Sequence, residues 1–160
     1  MAEKNHWNPR QYLTLQDIRT ELDRFEAANA DGTLRTTGDW RAGQILDHCG
    51  RWIKGSIDGI DFRIPIVLRV LGRLIVKPLL GRVKMKPGVK QPPTALTDMD
   101  PQPGVSFEEG LALMRTQLDR IDAGEQMTSN SPLLGKMTHE KWMKLHLDHC
   151  RLHFGFIQCE

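Results

Sequence analysis

Three histidines that lie close together near the end of the sequence, His146, His149 and His153, could bind a metal ion. If this segment is helical, a turn of about 100° per residue places His149 and His153 about 40° apart and His146 within about 60° of His149. Trp142 and Phe156 share this face, which indicates that the face points into the protein. Buried imidazole rings need partners for their nitrogen atoms, and a divalent metal ion is one such partner.

A third ligand would have to come from another part of the chain, because the side chains of one helix cannot surround an ion. His48, in the run WRAGQILDHCGRW at 40–52, is the histidine that lies on another predicted core helix. Three histidines with an open fourth position are typical of a catalytic metal site rather than a closed structural one. The alternative is a set of core histidines bonded to backbone carbonyls or carboxylates, and the spacing alone does not separate these two interpretations.

The cysteines beside two of these histidines raise the alternative of a mixed histidine and cysteine zinc site. Cys49 follows His48, and Cys150 follows His149. Adjacent helical residues point about 100° apart, which opposes binding of one ion by both members of such a pair. We therefore interpret the cysteines as small core residues. With Cys159 they make an odd count without the spacing of a disulfide framework, which favours a reducing compartment, the cytoplasm by default.

The segments that must position these residues are predicted to be helices. Asp39, Thr138 and the pair Ser106 and Glu109 provide N-cap signals, the last as a capping box. The sequence therefore predicts an all-α four-helix bundle, and 160 residues suit a single domain over 1–160. Alternation of period two is nearly absent, whereas apolar residues recur at three- and four-residue intervals along four stretches, 14–29, 39–59, 106–122 and 139–158.

A long basic and proline-rich insert separates the second and third of these stretches. Residues 61–90 contain eight Lys and Arg residues and one Asp, a net charge of +7. Within the insert, residues 65–80 are predicted to form a further helix, on which Arg69, Arg73 and Lys77 make one charged stripe among apolar residues. We interpret this helix as part of the bundle, with its basic side chains reaching solvent. An interfacial membrane helix is the less favoured alternative.

The composition opposes several other classes of protein. A net charge of +2 is too small to indicate nucleic-acid binding. The first residues lack the apolar core of a secretory signal, and the sequence has no apolar run of about 18 residues that would suggest a spanning helix. We expect a small-molecule substrate and no nucleic-acid partner, we do not favour membrane association, and we regard a homodimer as compatible with the sequence.

Two runs of the sequence resemble motifs of a known superfamily. WRAGQILDHCGRW resembles the tryptophan, polar, leucine, histidine signature on the second helix of the DinB-like, or YfiT-like, metal-dependent proteins. HLDHCRLHFGFI, at 146–157, resembles their late motif of two histidines followed by glycine and isoleucine. The resemblance is closest to an uncharacterised bacterial branch, a domain-of-unknown-function family. It implies a bundle with up-down-down-up connectivity and a divalent metal, zinc or nickel, held by His48, His149 and His153.

The resemblance also implies a class of chemistry. A metal ion with an open position lowers the pKa of a bound water or thiol and so generates a nucleophile near neutral pH. Characterised members of the superfamily include low-molecular-weight thiol transferases and a maleylpyruvate isomerase. The resemblance therefore implies a metal-dependent hydrolase or thiol transferase, with a low-molecular-weight thiol as a second cofactor. The alternative is a metal- or ligand-binding module without turnover, because the sequence offers no obvious general acid or base.

Two further roles stay open at the level of sequence. His146 could replace His153 as a ligand, or it could contact a ligand without binding the metal itself. A basic cluster could hold an anionic thiol, although a solvated surface is the favoured interpretation of its residues: Arg63, Lys84, Lys86 and Lys90.

Overall fold

The computed structural model describes residues 6–60, 64–88 and 99–159, and most of this part of the chain is helical. In chain order the helices are α1 (Leu15–Ala30), α2 (Ala42–Asp58), α3 (Ile66–Leu71), α4 (Lys77–Leu79), α5 (Phe107–Asp122) and α6 (His139–Phe154), and a π-helical segment, Gly72–Val76, joins α3 to α4. The described residues also form four short strands, β1 (Leu34–Thr36), β2 (Asn130–Ser131), β3 (Gly135–Lys136) and β4 (Ile157–Cys159). They form two antiparallel pairs, β1 with β4 and β2 with β3.

Side-chain caps stabilise the beginnings of three long helices, and those of α5 and α6 are the predicted ones. Thr14 and Asp17 form a capping box at α1, in which each side chain accepts a hydrogen bond from the backbone N–H of the other residue. Ser106 and Glu109 form the same arrangement at α5, and Thr138 caps α6. A cap of this kind is worth about 1 kcal/mol. These local hydrogen bonds place the starts of α5 and α6 where the sequence predicts them.

The predicted start of α2 near Asp39 is wrong. The helix begins at Ala42, and its N-cap is Arg41, whose backbone N–H donates to the side chain of Gln44. Arg41 is extended, and the preceding Trp40 packs against a histidine of α6 instead of entering the helix. A contact with a distant helix therefore sets this boundary. The predicted end of α2 at Gly59 is confirmed.

Helices α2 and α5 pack with their backbones almost in contact. A Cβ atom at Gly110 would overlap the carbonyl oxygen of Gly43, and a Cβ atom at Gly43 would overlap that of Ser106. Only glycine permits so close an approach. This contact fixes the position of α2, the helix that carries His48. The core contains side chains from α1, α2, α5 and α6, including Leu22, Phe25, Leu46, Met114, Leu118, Trp142 and Phe154.

The last helix is shorter than predicted. It ends at Phe154, and the chain then forms β4, in which Ile157 lies opposite Thr36 of β1. The indole Nε1 of Trp7 donates to the carbonyl of Leu152 at 2.9 Å, and the backbone N–H of Asn8 donates to that of Gly155 at 2.8 Å. These partners are remote in sequence, so a local helical period cannot predict them. The described chain is mostly helical with two small strand pairs, and the expectation of a purely α-helical protein is not met.

The insert forms a helical stretch on the surface. The predicted helix over 65–80 is confirmed as α3, the π-helical segment and α4, but its apolar side chains are mostly exposed. Gly72 is buried against Leu133, in the turn between β2 and β3. Residues 89–98 of the proline-rich connection lie outside the described residues. Within the described ranges, no helix combines the length and apolar character needed to cross a bilayer.

Candidate metal centre

Helices α2 and α6 bring three imidazole rings together. His48 lies in the middle of α2, and His149 and His153 lie one turn apart near the end of α6. The ring centroids are 5.0 Å apart for His48 and His149, 4.7 Å for His48 and His153, and 4.5 Å for His149 and His153. Each ring offers one nitrogen atom within 4.8 Å of the other two. The predicted convergence of rings from opposite ends of the sequence is confirmed, and they lie close enough to hold a metal ion.

The spacing of the nitrogen atoms agrees with the geometry of a tetrahedral ion. Nε2 of His48 and Nε2 of His149 are 3.3 Å apart. Zinc–nitrogen bonds of about 2.0–2.1 Å in a tetrahedron separate two ligand nitrogens by about 3.3–3.4 Å. The same distance is long for a direct N–H···N hydrogen bond between the two rings. The pair therefore fits two ligands of one ion better than it fits a donor and its acceptor.

A backbone carbonyl fixes the tautomer of His48. Nδ1 of this ring lies 2.6 Å from the carbonyl oxygen of Met99. A carbonyl can only accept, so Nδ1 carries the proton, and the neutral ring has its lone pair on Nε2, the atom that faces His149. Metal-binding histidines commonly have this arrangement, in which the ring nitrogen that does not bind the metal donates to a carbonyl or carboxylate and so orients the ring.

Burial of most of each ring keeps all three imidazoles neutral at ordinary pH. His48 is 3% exposed, and burial lowers its pKa. The pKa of His149 is far below its usual range, first because the ring is buried and then because His153 and His48 would repel a positive charge. Burial and the nearby His48 lower the pKa of His153 to about 3. The rings therefore present lone pairs, the form in which histidine binds a cation.

Two tryptophans form walls around the cluster. The Trp40 ring stacks on His153, with centroids 5.2 Å apart and an angle of 10° between the ring planes. It meets His48 at an angle of 61°, with centroids 5.1 Å apart. Trp52 lies one turn after His48 on α2. Its ring centroid is 6.4 Å from that of His48 and 6.0 Å from that of His149. His149 and His153 stay partly exposed, so the cluster opens towards the surface. The indoles hold the imidazoles in place and leave one side open to a ligand.

A family model described as a protein of unknown function (DUF1569) matches residues 7–160. This chain belongs to the DUF1569 family. The match includes both α2 and α6, and hence all three histidines of the cluster. No curated protein and no solved structure matches the chain.

His146 of this DUF1569 protein lies outside the cluster. Its Nε2 is 3.0 Å from the hydroxyl oxygen of Ser56, and its ring stacks on Trp142 at 5.3 Å with an angle of 10°. Ser56 donates its own proton to the carbonyl of Ile53, so the hydroxyl accepts from the imidazole. The Ser56 hydroxyl thus accepts the Nε2 proton of this buried ring and Trp142 packs on its face, so the role of His146 as an alternative ligand is not supported.

The acidic neighbours of the ligand histidines point away, as their position on the helix predicts. Asp47 forms an ion pair with Arg51 at 2.7 Å. Asp148 accepts hydrogen bonds from Nε of Arg151 and from the backbone N–H of Met85, both at 2.7 Å. The second pair is buried and ties the chain after α4 to α6. Both aspartates stabilise the structure around the cluster rather than lie in it.

The cysteines of the DUF1569 protein do not belong to the cluster either. Cys49 and Cys150 are free, buried thiols that contact each other across α2 and α6. Burial, and then the neighbouring thiol, raise the pKa of Cys49 well above its usual range. A protonated thiol is a poor metal ligand. The expectation that the cysteines act as small core residues agrees with this packing.

The proposed thiol-binding residues of the insert are only partly described. Lys84 lies 3.9 Å from Asp148, on the side of α6 away from the cluster, and Lys86 is exposed. Arg63 and Lys90 lie outside the described residues. Among the described residues, this group therefore gives no arrangement of basic side chains around the three histidines.

Sequence reasoning missed two supports of the site, the stacking of Trp40 and the carbonyl of Met99. The position of Trp52 beside His48 could be predicted, because it lies four residues after His48 and must share its helix face. Trp40 precedes the helix, and Met99 lies in an irregular segment, so neither has a periodic relation to His48. Finding them required the path of the chain in space.

Proposed function

We propose that this DUF1569 protein binds a divalent metal ion through His48, His149 and His153, within a DinB-like bundle of up-down-down-up connectivity built from α1, α2, α5 and α6. The observation that carries the proposal is the approach of two neutral imidazoles to 3.3 Å between Nε2 atoms, beside a third ring. Imidazole ligands suit zinc and nickel, and we propose one of these two metals. The free thiols suit the reducing cytoplasm as the compartment.

The chemistry that we propose is activation of a water or a thiol. A bound divalent ion would lower the pKa of either group in the open fourth position, which gives a nucleophile near neutral pH. The chain's own contribution is orientation: Met99 holds the ring of His48, and Trp40 holds that of His153. The exposed side of His149 and His153 provides the entrance for a substrate. We therefore propose a metal-dependent hydrolase or a low-molecular-weight thiol transferase.

A second candidate is a metal-binding module without turnover. No other His, Cys, Asp or Glu among the described residues joins the three histidines in one group. The cluster itself therefore contains no general acid or base among the described residues, although Asp100 lies close enough to act electrostatically on His48. Proton transfer by a positioned side chain contributes about 10²–10⁴-fold to catalysis, and a site without it would bind a metal without rapid turnover.

Elemental analysis of purified protein tests the metal proposal. We expect close to one zinc or nickel ion per chain in the wild type and a large loss in His48→Ala and in His149→Ala, because two imidazoles hold an ion weakly. His146→Gln is the matched control, since this buried histidine of α6 lies outside the cluster, and it should retain the metal. Equal metal content in all four proteins would contradict the ligand assignment.

The same proteins distinguish the two candidate functions. Hydrolysis of a panel of esters, and transfer of a small thiol to electrophilic carbon compounds, should follow metal content across the variants if the protein is an enzyme. Stoichiometric metal without turnover of any compound would favour the binding module.

A further inference from the structure

The outer surface of the insert is the most apolar surface of the described chain. Among the described residues, all the exposed large apolar side chains except Leu13 lie between 66 and 83, and their exposed fractions run from 38% to 72%. A contiguous apolar patch of this kind marks an interaction site. These side chains are Ile66, Val67, Leu68, Val70, Leu71, Leu74, Ile75, Val76, Leu79 and Val83. We call this surface the apolar insert face.

The helical stretch turns its basic side towards the body of the protein. Gly72 is buried against Leu133, and the guanidinium of Arg73 lies over Gly135. Nζ of Lys77 donates to the carbonyl of Lys136. The β2–β3 turn therefore contacts the charged stripe, and the apolar insert face points outward. This orientation contradicts the interpretation of the segment as a bundle helix whose apolar side faces the core.

The charge around this face selects the kind of partner. Residues 64–88 contain no Asp or Glu, and of their six Lys and Arg residues Arg82, Lys84 and Lys86 lie on the exposed stretch after α4 rather than on the stripe that faces the body. A second copy of the chain packed face to face would bring two such segments together, with no acidic residue in either to pair with the other. A partner with an apolar interior and an anionic boundary would complement both the apolar side chains and the positive charge of this segment. A lipid bilayer with anionic headgroups has this profile.

We propose that the apolar insert face binds in the plane of an anionic membrane surface. The fourteen residues from 66 to 79 span about 21 Å as a helix, enough to lie along the interface. The apolar side chains enter the boundary of the acyl region. Arg82, Lys84 and Lys86 lie beside them, where they reach the lipid phosphates.

A buried ion pair fixes the membrane segment to the metal-binding helix. Asp148 accepts from the backbone N–H of Met85, and Arg151 donates to the carbonyl of the same residue. On α6, Asp148 directly precedes His149, and Arg151 lies between His149 and His153. Membrane binding would therefore hold the three histidines at a set distance from the lipid surface.

Vesicle sedimentation of the full chain tests this proposal. We expect the wild type to sediment with vesicles that contain phosphatidylserine at low salt, and to stay in the supernatant with phosphatidylcholine alone. High salt should release much of the bound protein. Reversal of charge in Lys86→Glu, at an exposed position, should weaken binding about fivefold or more, since each basic residue near an anionic surface contributes a comparable factor.

Two equally exposed leucines test whether vesicle binding depends on the apolar insert face or on any exposed apolar side chain. Leu74 is 72% exposed and Leu13 is 70% exposed, so neither substitution by Glu disturbs the core. Leu74→Glu should lose at least tenfold in vesicle affinity, and Leu13→Glu should bind as the wild type does.

Three outcomes would overturn the proposal. One is a wild type that never sediments with vesicles, and another is equal binding by the two leucine variants. The third is a concentration-dependent dimer that Leu74→Glu abolishes, in a protein that ignores lipid, because the apolar insert face would then be an interface between copies of the chain. Since the leucine variants leave the histidines intact, their metal content separates failure of this proposal from failure of the metal proposal.

Discussion

His146 and His153 share one face of α6 but have different partners. Burial lowers the pKa of each to about 3. His146 meets Ser56, eight residues beyond His48 on α2, whereas His153 meets His48 itself. This pairing shows that α2 and α6 run in opposite directions. The sequence spacing predicts that the late histidines share a face, but it cannot tell which of them faces His48, because that depends on where α2 crosses.

His146 should make the stability of the protein depend on pH. Its pKa is about 3 when folded, against an ordinary value of 6.5, so between these values the unfolded chain binds the extra proton. The contribution of neutral His146 to the free energy of unfolding is therefore complete above pH 6.5. As the pH falls from there towards 3, the free energy of unfolding falls by about 1.4 kcal/mol per pH unit. In His146→Gln, the free energy of unfolding should change less steeply with pH, by about this amount. Urea unfolding in the presence of a chelator, from about pH 6 to about pH 4, measures this slope. Parallel slopes for the two proteins would contradict this assignment.

The long helices could largely be predicted from the sequence, and the strands could not. Thr14, Ser106 and Thr138 lie directly before apolar periods, so local hydrogen bonds and burial act together at these starts. The strands β1 and β4 lie more than 100 residues apart and contain no alternating run. Only their meeting in space gives their backbone groups partners. The same reason explains why α6 ends at Phe154 rather than near residue 158.

The close contact of α2 and α5 should make Gly110 sensitive to substitution. In Gly110→Ala the added methyl would overlap the carbonyl oxygen of Gly43, a backbone atom that cannot rotate away. We expect a loss of about 1–3 kcal/mol in the free energy of unfolding, and a fall in metal content because α2 carries His48. Thermal and urea unfolding measure the first, and elemental analysis the second.

Gly50→Ala is the control for this effect. Its added methyl would meet the side chain of Leu113, which can change rotamer, and alanine favours a helix by up to about 1 kcal/mol over glycine. This variant should therefore stay within about 1 kcal/mol of the wild type. Similar losses in both variants would show that the backbone contact is not what limits substitution.

At the scale of the whole molecule, metal binding should stabilise the fold, because the ligands come from two helices that unfolding separates. An ion at 100 times its dissociation constant would stabilise the folded state by about 2.7 kcal/mol. We expect the melting temperature to rise with zinc or nickel and to fall with chelator. His149→Ala should show neither response. A wild type whose melting temperature ignores both metals would contradict the proposed site.

The hydrogen bonds from Trp7 and Asn8 join the opening residues of the chain to the last turn of α6, which also carries His153. A peptidase that cuts after Asn8 would leave the carbonyls of Leu152 and Gly155 without these donors, while the core between the long helices stays intact. The last turn would then be held by the β1–β4 pair without these two donors, and the ring of His153 would be placed less firmly. We expect such cleavage to weaken the proposed metal binding of an otherwise folded protein.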